Sequence, residues 1–218
     1  MAKYEYILFD MDGTITDSYD AVVNSFAYAL DYYGISDYDR SSMKEILGPP
    51  LRESFVKLYG FDEKTAVEAV AKYRERYKIY FLQEHKIYPG IRELFDKLTA
   101  DGFKLVLATS KPLEMARAIL EHNDLIKYFC FLGGATMDAK RDTKEKVLEY
   151  IFENCNIDKS KAVLVGDRCY DLVGAEYIGI DAIGVLYGYG DIEELSSYKS
   201  VYLANTTDDI YDFLENEK

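Results

Sequence analysis

The stretch Ile7-Leu8-Phe9-Asp10-Met11-Asp12-Gly13-Thr14-Ile15-Thr16-Asp17 carries an apolar, β-type run that stops abruptly at two carboxylates one residue apart. Side chains two positions apart on an extended backbone share a face, so Asp10 and Asp12 can approach one reaction centre together. Gly13 then lets the chain turn away sharply. Neighbouring carboxylates repel unless a proton or cation joins them, and oxygen-only ligation suits Mg²⁺, which also binds phosphate oxygens. The stretch therefore points to a Mg²⁺-assisted phosphoryl site at a strand end. An EF-hand calcium loop is excluded, because its obligatory glycine and its bidentate glutamate would fall on Ile15 and Ala21. A plain acidic turn, with Asp17 or Ser18 capping the next helix, is the competing reading, and the rest of the chain must decide.

The 218 residues can bury a substantial core and suit one large domain, or one domain carrying an insertion. With 49% apolar residues the chain is not of the disordered class. A formal net charge of −13 without a basic tract argues against electrostatic capture by nucleic acid or an anionic membrane. Small molecules are the expected partners, and an anionic one must be met by local cations, a metal or helix N-termini. Cys130, Cys155 and Cys169 cannot all pair within one chain and lack Cys-x-x-Cys spacing, which fits a reduced, cytoplasmic setting. No apolar run approaches the roughly 20 residues needed to span a bilayer, and the start Met-Ala-Lys-Tyr-Glu lacks the features of a secretory signal. The 21 tyrosines read as core and rim packing.

Strand-like runs recur at Tyr4 to Phe9, Lys104 to Ala108, Ala162 to Val165 and Asp181 to Val185, with weaker candidates at Phe129 to Leu132 and Val201 to Leu203. Helical patterns separate most of them, predicting an α/β fold with a Rossmann-like parallel sheet flanked by helices. Asp101-Gly102 marks a turn and Pro112 a helix start. About 90 residues with little strand signal follow the first strand, more than one crossover helix requires, so an inserted α-helical subdomain is expected. Within it Ala66, Val67, Val70, Tyr73, Tyr77 and Phe81 form an apolar stripe at helical spacing. The predicted division is a core domain of residues 1–16 and 86–218 and a helical domain of residues 17–85.

Three further clusters carry chemistry. Thr109-Ser110-Lys111-Pro112 follows the second strong strand. A hydroxyl there, before a helix N-terminus, can hold a phosphoryl oxygen, although a simple Ser/Thr cap explains it equally well. Arg141-Asp142-Thr143-Lys144-Glu145-Lys146 opens a helix, and one lysine from it could neutralise charge shared by nucleophile and phosphate; lysines on solvated helix faces are commoner. Val163-Leu164-Val165-Gly166-Asp167-Arg168-Cys169-Tyr170-Asp171 repeats the logic of the first stretch. Acidic groups ending two different parallel strands converge where such sheets bind ligands.

These four clusters, in this order and interrupted by an early helical insertion, resemble the haloacid dehalogenase superfamily, specifically its phosphoglycolate-phosphatase-like hydrolases with a helical cap. The resemblance rests on Phe9-Asp10-Met11-Asp12-Gly13-Thr14, Ala108-Thr109-Ser110-Lys111-Pro112 and Gly166-Asp167-Arg168 with Asp171, and it spans nearly the entire chain. It implies a Mg²⁺-dependent phosphatase acting on small phosphomonoesters such as phosphoglycolate or a nucleoside monophosphate. Asp10 would be the nucleophile, forming an aspartyl phosphate, and Asp12 the acid and then the base. Asp10, Asp167 and the main-chain carbonyl of Asp12 would hold the metal, with Asp171 orienting a bound water. Thr109, Ser110 and Lys144 would bind the substrate's phosphoryl group, with Lys140 and Lys146 as substitutes for Lys144. Gly48-Pro49-Pro50-Leu51-Arg52 resembles a substrate-facing cap loop in which Arg52 contacts an anionic or sugar oxygen; a rigid helix entry with a solvated arginine is the alternative. A phosphomutase of the β-phosphoglucomutase type shares the same aspartate pair, and a noncatalytic phospholigand sensor shares the fold. Cys169, between Asp167 and Asp171, is either an oxidation-sensitive thiol or an inert buried one.

Overall fold

The structure, a computed structural model, describes residues 3–138 and 140–217. The first two residues of the amino-terminal stretch and the last residue of the predicted core domain lie outside that range. The chain runs β1 (Tyr6–Phe9), β2 (Thr16–Asp17), α1 (Tyr19–Tyr32), α2 (Leu51–Tyr59), α3 (Glu63–Tyr80), β3 (Lys86–Ile87), α4 (Ile91–Ala100) and β4 (Lys104–Pro112). It continues as α5 (Leu113–His122), β5 (Phe129–Ala135), α6 (Lys144–Asn154), β6 (Ala162–Gly166), α7 (Cys169–Ile178), β7 (Asp181–Val185), α8 (Ile192–Ser196), β8 (Tyr202–Ala204) and α9 (Thr207–Asn216). Two compact units result: Met1–Thr16 with Ile87–Lys218, and Asp17–Lys86. The short strands β2 and β3 pair where the chain passes from one unit to the other.

The larger unit is built on a six-stranded sheet of order β5-β4-β1-β6-β7-β8, with every pairing parallel. Parallel strands covered on both faces read as continuous apolar runs, and Ile7, Leu8 and Phe9 are accordingly all fully buried. Leu8 packs with Val106, Leu164, Val147, Leu148 and Leu172, so α6 and α7 cover its face. Phe9, with opposite parity, meets Phe95 of α4 at 5.1 Å between ring centroids. The chain leaves β1 for β4 on one side and later returns to β6 on the other, which makes the end of β1 a topological switch point. Register levels the three strands, since Phe9 faces both Leu107 and Val165. Asp10, Thr109 and Asp167 therefore emerge near one edge. The turn at Asp101-Gly102 is as expected, with Gly102 at φ 88°.

Two local expectations require correction. Strand β4 does not stop at Ala108 but continues to Pro112, with a register break between Thr109 and Pro112. Thr109 and Ser110 thus belong to a strand extension ahead of α5 and do not cap that helix, whose N-cap is Pro112; pairing of Thr109 with Gly134 of β5 sustains the strand. In the helical unit, α3 buries Ala66, Ala69, Tyr73 and Tyr77, while Val67 is 57% exposed. Val67 sits one residue, about 100° of helix rotation, from Ala66, and that step carries it off the packed face. The core of this unit is aromatic: Phe26 stacks on Phe55 with centroids 4.0 Å apart, and Phe61 stacks behind Phe55. Asp62 starts α3 by accepting a hydrogen bond from the Thr65 amide. Among the described residues no helix is long and apolar enough to cross a membrane.

Leu8→Ala should leave a cavity between β1, α6 and α7 and cost about 2–5 kcal/mol, measured by urea unfolding. A loss below about 1 kcal/mol would contradict the central packing assigned to β1.

Candidate active site

Asp10 is the first residue past β1, and its amide donates to the carbonyl of Val165, locking this strand end to β6. Asp167 is the first residue past β6, and Asp171 lies in the first turn of α7, where it accepts a hydrogen bond from the Arg168 amide at 3.1 Å. Lys144 opens α6, whose N-terminus is capped by Thr143. Its side chain is 2% exposed. The Nζ atom lies 2.9 Å from Asp10 Oδ1 and 2.7 Å from Asp171 Oδ1, and donates to the carbonyl of Ala108 at 2.6 Å. Ligand atoms of Asp10, Asp167 and Asp171 all fall within 4.8 Å of one another. Lys140 and Lys146, by contrast, make exposed ion pairs with Asp138 and Asp142.

Close packing excludes a side chain at several glycines around the site, Gly13 and Gly174 among them. Gly13 adopts φ 87°, and a Cβ there would come within 2.0 Å of Asp167 Oδ2. A Cβ at Gly174 of α7 would sit 2.6 Å from Lys144 Cγ, so its absence opens the path by which the lysine reaches the carboxylates. Asp167 is further held by the Tyr189 amide, which donates to Oδ2 at 2.8 Å, and by the Thr14 hydroxyl at 3.4 Å.

One ammonium does not balance three buried carboxylates. Burial above all, opposed by Lys144 and reinforced by Asp171, pushes the Asp10 carboxyl up to about 6. Burial, then Asp171 and Asp10, raise Asp167 well above the carboxylate range. Burial also works against the charge on Lys144, but Asp10 and Asp171 outweigh it and hold the ammonium above its ordinary value. The Oδ1 atoms of Asp10 and Asp171 are buried without a directed hydrogen bond, despite their approach to Nζ. An all-oxygen donor set with surplus negative charge and unsatisfied lone pairs fits a hard divalent cation such as Mg²⁺.

Asp12 stands apart from this cluster. Its carboxylate oxygens lie 2.9 and 2.8 Å from Lys111 Nζ, and the Thr16 hydroxyl approaches Oδ1 at 3.4 Å. Lys111 stands in the Thr109-Ser110-Lys111-Pro112 motif, yet the motif alone assigns it no role. The available signal was that a strand pairing with β1, if prolonged, carries its side chains past Asp12. Thr109 is buried, and its hydroxyl accepts from the Lys111 amide at 3.1 Å; Ser110 is exposed. In the helical unit, Arg52 lies in the first turn of α2 after Pro50 and pairs with Glu63 at 3.0 Å, both side chains being largely exposed. Glu194 accepts from the Cys169 amide and from Arg168. Burial, then Glu194, push the Cys169 thiol up to about 11, which disfavours the reactive thiolate.

Two outcomes follow from the cluster's charge. A carboxyl with a raised folded pKa stabilises the fold below its ordinary value of 3.8 and loses that contribution as pH climbs through about 6. In chelator, stability should therefore decline over that interval. Asp10→Asn should raise the melting temperature at about pH 8 by a few degrees, and by less near pH 5. An unchanged or lowered value near pH 8 would contradict the charge surplus. Protons and cation compete for Asp10, so calorimetric Mg²⁺ affinity should weaken about tenfold per pH unit below about 6. Affinity independent of pH would exclude these carboxylates as its ligands.

A family model described as haloacid dehalogenase-like hydrolase matches residues 7–185. A 5'-nucleotidase of Pseudomonas aeruginosa is 37% identical over 200 residues, covering 92% of this chain and 90% of its own length. Tyrosine-protein kinase PtkA of Mycobacterium tuberculosis is 34% identical over 212 residues, covering 96% and 72% respectively. The crystal structure of a predicted phosphatase from Clostridium acetobutylicum superposes with a TM-score of 0.93 at 41% identity, covering 98% of this chain and 99% of that one. Matched from its first strand through β7, and related to curated proteins along nearly its whole length, the chain belongs to the haloacid dehalogenase-like hydrolase family.

Proposed function

We propose that this chain is a Mg²⁺-dependent phosphoric monoester hydrolase for small phosphomonoesters, nucleoside monophosphates foremost, with Asp10 as nucleophile and Asp12 as acid and base. One observation carries the reading: two carboxylates two residues apart are held by different lysines in different surroundings. Asp10, 14% exposed, sits with Lys144, Asp167 and Asp171, whereas Asp12, 30% exposed, sits on Lys111. Neighbouring carboxylates set in contrasting environments are the usual basis for dividing nucleophilic from proton-transfer work.

An Asp10 oxygen attacks phosphorus as the bond to the leaving oxygen breaks, giving an aspartyl phosphate, while Asp12 passes its proton to that oxygen. Asp12, now a carboxylate, takes a proton from water as the water attacks phosphorus, and phosphate leaves with Asp10 restored. Asp10, Asp167 and the Asp12 carbonyl, with Asp171 in support, would hold a divalent ion, which would supply charge neutralisation to the phosphoryl oxygens. Lys144 offsets charge at the nucleophile, and Thr109 and Ser110 hydrogen-bond the phosphoryl group. The helical unit of residues 17–85 would contribute to substrate choice, with Arg52 as a contact for an anionic or sugar oxygen. The 5'-nucleotidase relative supports a nucleoside monophosphate as substrate.

Phosphate release should be measured with and without Mg²⁺ on nucleoside monophosphates, phosphoglycolate, pyrophosphate and sugar phosphates. Hydrolysis should require the ion and fall roughly a thousandfold or more in Asp10→Asn. Ligand binding without release from any substrate would favour a sensor. Conversion of a hexose 1-phosphate to its 6-phosphate without net release would favour a mutase.

A further inference from the structure

The extension of β4 past Thr109 delivers Lys111 to Asp12. The lysine side chain is 4% exposed, its amide is pinned to the Thr109 hydroxyl, and its ammonium meets both Asp12 oxygens at 2.9 and 2.8 Å. A buried ammonium is stable only when paired, so the contact is one the fold enforces. A two-point contact restricts rotation of the carboxyl group, whereas the Thr16 hydroxyl reaches only one oxygen, at 3.4 Å. Lys111 is thus the chief restraint on how Asp12 points. Proton transfer is sensitive to that orientation, because donor and leaving oxygen must come within hydrogen-bond reach.

We propose that Lys111 is a positioning residue that orients Asp12 for proton delivery, and thereby sets how well the enzyme cleaves esters whose leaving group must be protonated. The inference rests on the hydrolase reading above. In the step concerned the Asp12 O–H bond and the ester P–O bond break, while the leaving oxygen gains the proton and Asp10 gains phosphorus. Lys111 keeps all its protons, and its charge faces the carboxylate that remains. A lysine that bound the substrate's phosphate directly would instead raise KM for every ester alike.

The test compares a nucleoside 5'-monophosphate, which departs as an alkoxide needing a proton, with p-nitrophenyl phosphate, whose phenolate leaves without one. In Lys111→Met, kcat for the nucleotide should fall about ten- to a hundredfold further than kcat for the aryl ester, with KM moving less than about threefold. Lys111→Arg should recover part of the difference, since a guanidinium can also grip both oxygens. In an Asp12→Asn background, Lys111→Met should add no further selective loss. If the methionine variant does not fold, Lys111→Gln is read by the same criteria. Equal losses on both esters, or a loss confined to KM, would overturn the positioning role while leaving hydrolysis intact. Wild-type protein that cleaves neither ester, or an Asp10→Asn variant that still cleaves them, would remove the underlying reading and this inference with it.

Discussion

A single buried ammonium, Nζ of Lys144, joins three parts of the chain that electrostatics would otherwise drive apart. It reaches Asp10 past β1, Asp171 at the start of α7 and the carbonyl of Ala108 in β4. At an effective dielectric near 20, two like charges 4 Å apart repel by about 4 kcal/mol, so Asp10 and Asp171 need the counter-charge they share. The lysine makes the arrangement foldable without neutralising it. What remains is an oxygen-lined centre whose three carboxylates exceed the one ammonium among them.

Topology sets the stage for that interaction. Because β1 lies between β4 and β6, the sheet brings residues far apart in sequence to one edge, and helix α6 then supplies the lysine from the covered face. Gly13 and Gly174 show how tightly the parts fit, since a methyl group at either would occupy space held by Asp167 or Lys144. The second lysine, Lys111, gives Asp12 its own counter-charge. The two members of the Asp-x-Asp pair therefore work in different electrostatic settings although one residue separates them.

Much of the larger unit was legible in the sequence, for a physical reason. Parallel strands buried on both faces must be continuous apolar runs, and runs ending in Asp10, Gly166-Asp167 and Thr109 reveal themselves without knowledge of contacts. Convergence of Asp10, Asp167 and Asp171 followed from the rule that such sheets gather ligands at strand ends. Lys144 was harder, because its fitness depends on Gly174 and on the pairing of α6 with α7, and only the family resemblance singled it out from Lys140 and Lys146. Lys111 was missed because the length of β4 depends on its pairing with β5, a nonlocal fact. Val67 is apolar but lies off the packed face of α3, and angular position decides its exposure where apolar identity does not. The aromatic core linking Phe26, Phe55 and Phe61 was likewise invisible, since it joins α1, α2 and the following loop through tertiary contacts alone.

A covalent bond between Asp10 and phosphorus is the centre of the proposed hydrolysis. Wild-type protein mixed with a nucleoside monophosphate and Mg²⁺, quenched in acid within one turnover and digested for mass spectrometry, reads that bond directly. The phosphoryl group should be found on the peptide containing Asp10 and assigned to that side chain. Hydrolysis proceeding with no phosphorylated peptide, or with the group on another residue, would contradict it.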